Sequence, residues 1–181
     1  VRASYAQVHN EVVSDLIRPD RTHLSIREDE RKGVYVEGLS EWIVRTPDEI
    51  LSLMAAGARA RSTAATLLNE QSSRSHAVFT LVVEQSQTRQ QGEAAPVSGA
   101  EQQEYRVLSA KLNLVDLAGS ERVRDSGATG SRLKETQHIN LSLSALGNVI
   151  SALSSGDGVR SHVPYRDAKL TRLLADSLGG N

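Results

Sequence analysis

The 181-residue chain lacks cysteine, has few aromatic residues, and contains no long apolar run. Without cysteine, a disulfide scaffold and a Cys-ligated zinc or iron–sulfur site are excluded. No window approaches the ~18 apolar residues that a membrane-spanning helix needs, so membrane insertion is not expected. Aromatic residues make up 3% of the chain, which is fewer than a nucleic-acid binder working by base stacking would need. The sequence therefore predicts no insertion into a membrane and no nucleic acid as a partner.

What is present is an ordinary globular composition, with 39% hydrophobic residues, 24% charged residues and a net charge of -1. A chain of this length is one domain or a piece of one. It opens on Val1 instead of Met, its first eight residues alternate like a strand, and it ends in the turn-like sequence Gly-Gly-Asn. We therefore expect an internal fragment of a larger protein, incomplete at both ends.

Hydrophobic periodicity predicts strands alternating with long helices, the pattern of an α/β layered domain. The strongest helix start lies at residues 46–49, where Thr46 can cap, Pro47 suits the first helical position and Glu49 completes a capping box. The predicted strands are Val1–Val8, Leu24–Arg27, Val34–Val36, Glu41–Val44, Ala77–Glu84 and Arg106–Val115. The predicted helices are Glu11–Ile17, Thr46 to about Ala65, Ser131–Ser154 and Arg166 to Leu178.

Apolar residues at helical spacing indicate which face of each long helix is buried. The expected buried stripes are Ile50, Leu51, Met54 and Ala58 in the first long helix, and Ile139, Leu143, Leu146, Ile150 and Leu153 in the second.

Between the elements, residues 67–76 and 117–130 are predicted loops. Residues 85–103 are rich in Gln, Gly, Ala, Ser and Pro and have no apolar period, which predicts a flexible insertion between two strands.

The strand that ends at Asp116 is the first candidate for chemistry. A carboxylate at the carboxyl end of a buried strand can hold the shell of a Mg²⁺ ion, as it does in P-loop nucleoside triphosphatases. Gly119, three residues later, would let a backbone N–H approach a phosphate. By itself this pattern is more typical of a strand that ends in an ordinary turn.

The second candidate is the polar segment 69–76, with the sequence Asn-Glu-Gln-Ser-Ser-Arg-Ser-His. Hydroxyl groups are good ligands for Mg²⁺ and water, and arginine is the natural partner of a carboxylate. Taken alone, a Ser-rich segment of this kind could equally be a solvated linker.

Together the two segments resemble the nucleotide-sensing switches of the kinesin motor domain, with residues 69–76 matching switch I and residues 116–121, Asp-Leu-Ala-Gly-Ser-Glu, matching switch II. Residues 138–150 resemble the helix after switch II, and residues 162–181 resemble the loop and helix that follow it. GTPases and myosins share only the shorter Ser-Ser-Arg and Asp-x-x-Gly elements. Four long motifs in the family's order favour kinesin over those rivals.

The resemblance implies an α/β domain of the kinesin-type P-loop NTPase fold, a central and mostly β-sheet structure flanked by helices. It also implies ATP and Mg²⁺ as cofactors, and ATP hydrolysis coupled to binding and movement on microtubules. Tubulin would be the partner, the location would be the cytoplasm and its microtubule cytoskeleton, and a homodimer could form through regions outside this chain.

The same resemblance implies roles for individual residues at the nucleotide. Ser73 would ligate Mg²⁺ when switch I closes, and Ser72 would help to hold the γ-phosphate and the attacking water. Asp116 would lie in the second shell of the Mg²⁺, and the Gly119 N–H would sense the γ-phosphate. Such a site works because phosphoryl transfer depends on positioning and charge compensation more than on covalent chemistry.

Three further residues would complete the switches. Arg74 and Glu121 would form a salt bridge that links the two segments and orders the water chain through which the attacking water loses its proton. Asn69 would support the closed loop, although a turn or cap would account for it as well.

Basic residues near the end of the chain suggest a surface for an acidic partner. Arg166, Lys169 and Arg172 recur every three residues, so in one continuous helix they would share a face. That face could be merely solvated, whereas the resemblance implies a contact with tubulin to which Lys134 also contributes. Leu141 stands where the family commonly has lysine, and one such contact would then be missing.

The phosphate-binding P-loop is absent from the sequence. It requires Gly-Lys followed by Ser or Thr, and none of the four lysines, Lys32, Lys111, Lys134 and Lys169, follows a glycine. In kinesins the P-loop lies upstream of the segment where this chain begins, so we expect truncation. The alternative is a kinesin-like microtubule-binding module without nucleotide turnover.

Residues 1–181 alone are therefore expected neither to bind nor to hydrolyse ATP appreciably. Most phosphate affinity in such a site comes from the backbone amides and the lysine of the P-loop. Calorimetric titration of the fragment with Mg-ATP checks this expectation. Saturable binding in the micromolar range would contradict it.

Overall fold

The computed structural model describes residues 1–30, 33–65, 71–88, 105–119, 131–155 and 162–179. None of the helices within these ranges is long and apolar enough to cross a membrane. The strands are β1 (Arg2–His9), β2 (Val12–Asp15), β3 (Ser25–Asp29), β4 (Gly33–Glu37), β5 (Trp42–Ile43), β6 (His76–Thr88) and β7 (Tyr105–Asp116). The helices are α1 (Pro47–Ala65), α2 (Ser131–Ser154), α3 (Lys169–Leu173) and α4 (Ala175–Gly179), with 3₁₀ turns at Gln71–Arg74 and Tyr165–Asp167.

The main sheet has the strand order β2-β1-β6-β7, and every pairing in it is antiparallel. One edge of β1 pairs with β6 along most of its length, while the other edge is shared between β5 at its start and β2 at its end. β3 and β4 form a separate antiparallel hairpin. The predicted α/β class, a sheet flanked by helices, is confirmed.

Alternating residues of β6 face opposite layers, as the pleat of a strand requires. Phe79 packs with Tyr5 on the α1 side, where the two rings meet edge to face at a centroid distance of 5.2 Å. Gly57 of α1 lies against the Tyr5 ring, and a Cβ there would overlap it. Val78 faces the other side and packs with Leu170 of α3. The sheet is therefore covered by α1 on one face and by the C-terminal helices on the other.

The start of α1 follows the predicted capping signal with one difference. The Glu49 N–H donates to Thr46 Oγ1 at 3.3 Å, as expected for an N-cap threonine. The Glu49 carboxylate accepts the N–H of Arg45 at 2.7 Å, one residue before the cap. Both hydrogen bonds satisfy backbone groups that the first helical turn cannot pair internally.

The predicted helix Glu11–Ile17 is wrong, because Val12–Asp15 forms the strand β2. A two-residue turn joins it to β1, with both Asn10 (φ 51°) and Glu11 (φ 59°) in the left-handed region. Turns of this geometry match the twist of antiparallel strands. The Glu11 carboxylate accepts the backbone N–H of Lys169 at 2.9 Å, so the hairpin is anchored to the start of α3.

The predicted last helix is broken into three pieces. Ala168 has an extended backbone (φ −144°, ψ 155°) between the 3₁₀ turn and α3, and Leu174 separates α3 from α4. The Thr171 hydroxyl donates to the carbonyls of Tyr165 and Ala168, both at 2.9 Å, and this holds the break in place. Arg166 therefore does not share a helix with Lys169 and Arg172, and the single basic helix face is wrong.

Helix α2 has the predicted bounds, but its buried face is rotated from the predicted stripe. Ile150 is 48% exposed and Leu153 is 40% exposed. Among the α2 side chains that the structure describes, those of residues 137–154, the buried ones are Ile139, Ser142, Ala145 and Val149. Two of these side chains are small, so they let the helix approach its neighbours closely while contributing little to a hydrophobic pattern.

The long strands β6 and β7 pair without interruption from Ala77 opposite Asp116 to Thr88 opposite Tyr105. Residues 85–88 therefore belong to a paired strand, and the predicted flexible insertion is wrong for that part. Residues 89–104 lie outside the described ranges. Backbone hydrogen bonds continue the ladder through residues whose side chains gave no strand signal.

A charged cluster joins the β3–β4 hairpin, β7 and α4. Lys111 Nζ donates to the Val34 carbonyl at 2.7 Å and to Asp176 Oδ2 at 3.0 Å. Asp176 Oδ2 also accepts the Val34 N–H at 2.8 Å. The carboxylate fits only because Gly33 (φ 66°) has no side chain, since a Cβ there would overlap it.

Gly33→Ala is therefore expected to destabilise the domain more than Gly38→Ala. Both glycines have positive φ, which costs an L-residue about 1–2 kcal/mol, but a Cβ at Gly38 meets nothing closer than Leu24 at 3.5 Å. Displacing the Asp176 carboxylate should add about 1–3 kcal/mol at Gly33. Denaturant unfolding of both variants measures the difference. In an Asp176→Ala background the two substitutions should cost the same, and a persistent difference would contradict this account.

Candidate functional site

Two polar segments meet at one end of the sheet because β6 and β7 are antiparallel. The register sets Ala77 opposite Asp116, so the residues that lead into β6 and those that leave β7 lie side by side. We call the segments Ser73–His76 and Asp116–Gly119, taken together, the strand-end junction. The pairing of two long strands thus brings together residues about forty positions apart in the sequence.

A backbone hydrogen bond closes the strand-end junction. The Gly119 N–H donates to the Ser73 carbonyl at 2.7 Å. Ser73 and Gly119 are both half-buried, and both were predicted as site residues. The amide expected to sense a phosphate is therefore hydrogen-bonded to the other segment in this structure.

The side chain of Arg61 in α1 contacts both segments of the strand-end junction. It is 6% exposed, and its guanidinium donates to Ser75 Oγ at 3.2 Å, to the Ser75 carbonyl at 2.6 Å and to Asp116 Oδ2 at 2.5 Å. The Asp116 side chain remains 70% exposed, so its carboxylate is held in position yet still faces solvent. A planar guanidinium with several donors suits this task, because it can bind both segments at once.

Arg61 was missed by the sequence analysis, although a signal was present. The inward face of α1 follows Ile50, Met54 and Gly57, and Arg61 continues that spacing of four, three and four. Leu51, which was expected to be buried, is 62% exposed, and Ala58 is also exposed. With the face correctly assigned, an arginine at an inward position would have indicated a buried ion pair.

His76 completes the strand-end junction on the buried side. It is 3% exposed, and its Nδ1 accepts the Ala118 N–H at 3.0 Å. Burial, together with a smaller effect of the nearby Arg61, lowers the pKa of His76 to about 4, while Asp116 opposes the shift. The ring is therefore neutral at neutral pH, as an acceptor at Nδ1 requires.

The other predicted nucleotide-site residues are only partly within the described ranges. The backbone of Ser72 belongs to the 3₁₀ turn, and Arg74 ends that turn and is half-buried. Asn69 and Glu121 lie outside the described residues, as does the side chain of Ser72. The Arg74–Glu121 salt bridge therefore stays a prediction.

The predicted partner-binding residues are spread over three elements. Arg166 lies in the 3₁₀ turn with its side chain 81% exposed, and its guanidinium is 4.0 Å from Glu28 of β3. Lys169 and Arg172 are on α3 and are half-buried. Lys134 lies in α2, and its side chain is outside the described part of the chain.

Comparison with known proteins gives a consistent result. The family model for the kinesin motor domain matches residues 1–181. The chain is 46% identical over 181 residues to a kinesin heavy chain of Caenorhabditis elegans, with 100% of this chain and 20% of that protein covered. It is 49% identical to the kinesin-like protein KIN-12C of Arabidopsis thaliana, with 99% of this chain and 8% of that protein covered.

Solved structures agree with the family match. A fast kinesin aligns with a TM-score of 0.75 at 43% identity, covering 97% of this chain and 45% of that one. A KIF14 dimer bound to a microtubule with AMP-PNP aligns with a TM-score of 0.80 at 43% identity, covering 99% and 49%. The chain thus spans a fifth or less of those two relatives and under half of each structural neighbour. Its match over all 181 residues to the family model shows that the chain belongs to the kinesin motor domain family.

Proposed function

We propose that this chain is the nucleotide-sensing and microtubule-binding part of a motor domain that hydrolyses ATP. The observation that carries the proposal is the strand-end junction, where Arg61 and the Gly119–Ser73 hydrogen bond tie two segments to one another. One related protein is described with a microtubule and an ATP analogue, and that description supports both partners. The protein would act in the cytoplasm on the microtubule cytoskeleton.

The side chains of the strand-end junction suit Mg²⁺ bound together with ATP. Mg²⁺ prefers hard oxygen ligands and usually keeps waters and phosphate oxygens alongside one or two protein groups. The Ser73 hydroxyl and the exposed Asp116 carboxylate are such oxygens. Ser73 would ligate the ion and Asp116 would hold its hydration shell. When bound, the ion neutralises charge that develops on the transferred phosphoryl group.

In this proposal the Gly119 N–H has two alternative hydrogen-bond acceptors, the Ser73 carbonyl and a phosphate oxygen. In this structure its N–H donates to the Ser73 carbonyl. A phosphate oxygen would have to replace that carbonyl, so the two segments would part or shift when the terminal phosphate binds. Exchange of an internal hydrogen bond for one to the ligand is what lets a loop report whether phosphate is present.

Ser72, Asn69 and the Arg74–Glu121 pair have proposed roles that follow from the family's motifs. Ser72 would hold the γ-phosphate and the attacking water, and Asn69 would support the closed segment. Arg74 and Glu121 would link the two segments above the nucleotide. Arg61 adds a second ionic link from beneath, through Asp116.

Arg61→Lys in the full-length protein is expected to lower microtubule-stimulated ATP turnover about tenfold or more, because a single ammonium cannot replace a fork that binds Ser75 and Asp116 together. Steady-state turnover with saturating microtubules measures the effect. Arg59→Ala is the matched control, since Arg59 lies on the same helix but is exposed, and it should leave turnover within about twofold of wild type. Wild-type turnover in Arg61→Lys would contradict the role of Arg61.

The basic residues near the chain end supply the proposed tubulin contact. Arg166 projects into solvent from its 3₁₀ turn, with Lys169 and Arg172 close by on α3. Acidic partners attract such a group mainly by long-range electrostatics, which salt screens. Lys134 of α2 is proposed as a further contact.

Replacing Arg166, Lys169 and Arg172 with Ala is expected to weaken microtubule binding and flatten its dependence on salt. Cosedimentation of the full-length protein over a salt series measures both. The control replaces Arg18, Arg45 and Arg59 with Ala, which makes the same change of net charge at exposed arginines outside the C-terminal helices. An equal salt slope for the two triple variants would mean that position does not matter and that these residues are not a binding face.

A microtubule-binding module without turnover is the alternative that the same experiments separate. Such a module would bind microtubules through the basic residues but would show no ATP hydrolysis in the full-length protein. Turnover stimulated by microtubules supports the motor, whereas binding with no turnover at any microtubule concentration supports the module.

A further inference from the structure

His76 connects three parts of the molecule through one buried ring. Its Nδ1 accepts the Ala118 N–H at 3.0 Å, and its Nε2 lies 2.8 Å from Ser142 Oγ in α2. The Ser142 hydroxyl donates in turn to the carbonyl of Ile139 at 2.7 Å. His76 is 3% exposed and Ser142 is 2% exposed, so water does not compete for these hydrogen bonds.

The direction of each hydrogen bond follows from its partners. A backbone N–H can only donate, so His76 Nδ1 is an acceptor facing Ala118. The hydroxyl proton of Ser142 is used by the Ile139 carbonyl, so Ser142 Oγ accepts the Nε2 proton. One tautomer alone satisfies the ring, and a continuous chain of donors and acceptors runs from the β7 end of the strand-end junction into α2.

We propose that His76 is a positioning residue that couples the Asp116–Gly119 segment to helix α2. The inference rests on the proposed function and adds the route by which the nucleotide site would act on the helix. Ala118 directly precedes Gly119, whose N–H is the proposed phosphate sensor. A shift of Gly119 toward a phosphate would move the Ala118 amide. The His76 ring and Ser142 would then have to move with that amide, or their hydrogen bonds would break.

The packing around the His76 ring favours a movement of Ser142 together with Ala118 over breakage of the hydrogen bonds that connect them. An internal hydrogen bond that opens in a buried site leaves polar atoms unpaired, which costs more than the bond itself contributes. Ala145, one turn along the same buried face as Ser142, is also small, so α2 lies close to the strand end. Leu141 and Ile150, one on each flank of this buried face, are 54% and 48% exposed.

Ser142→Ala in the full-length protein tests the proposal directly. It removes the hydroxyl that accepts the Nε2 proton, while alanine keeps the helix intact. We expect the ratio of microtubule-stimulated to basal ATP turnover to fall about tenfold, the effect of one buried hydrogen bond on a coupling step. Ser144→Ala is the matched control, because Ser144 is exposed on the same helix. It should leave the ratio unchanged.

His76→Asn breaks the same link from the other side. The asparagine carbonyl can accept the Ala118 N–H, but its side chain is too short to reach Ser142. The ratio should fall as far as in Ser142→Ala, and the double variant should fall no further, because both remove one interaction. If His76→Asn does not fold, as thermal melting will show, Ser142→Ala and its control decide alone.

The outcomes separate this inference from the proposed function. If the wild-type protein shows no stimulation by microtubules, the proposed function is wrong. If wild type is stimulated and Ser142→Ala is stimulated equally, the coupling role of His76 is wrong. Additive losses in the double variant would also overturn it, since they would mean that the two side chains act separately.

Discussion

The antiparallel register of β6 and β7 is the constraint on which the proposed site depends. It sets Ala77 opposite Asp116, so the segment before one strand and the segment after the other share one end of the sheet. A slip of one residue would turn Phe79 away from Tyr5 and Val78 away from Leu170. The two apolar layers therefore fix the register, and the register brings the polar segments together. Core packing and the geometry of the nucleotide site are thus parts of one arrangement.

The sequence predicted those features that local patterns encode. The bounds of α2, the start of α1 at its cap, and the end of β7 at Asp116 all agree with the structure, because periodicity, capping residues and a strand-terminating carboxylate are local signals. The motifs identified the family and drew attention to Ser73, Asp116 and Gly119. Which atoms of these residues contact one another could not be predicted, since that depends on strand register and on the rotation of α1.

The misassigned features are those that tertiary contacts decide. Val12–Asp15 is too short for its sequence pattern to distinguish a helix from a strand, and pairing with β1 makes it a strand. The last predicted helix is interrupted at Ala168, whose backbone is extended and so cannot continue a helix. Arg61 was not predicted, and His76 was noted only as part of the segment 69–76, because each is a polar residue on a buried face. Their roles become visible only when the elements around them are assembled.

The turn between β1 and β2 shows how local and long-range demands conflict. Glu11 has a left-handed backbone that glycine would adopt with less strain, but its carboxylate holds the Lys169 amide at the start of α3. A designer who optimised the hairpin by itself would choose glycine at this position and would remove the hydrogen bond between the hairpin and the start of α3. The strained backbone at Glu11 is thus accepted in exchange for a side chain that fixes the position of the start of α3. Consensus turn chemistry would be a poor guide to engineering this corner of the motor domain.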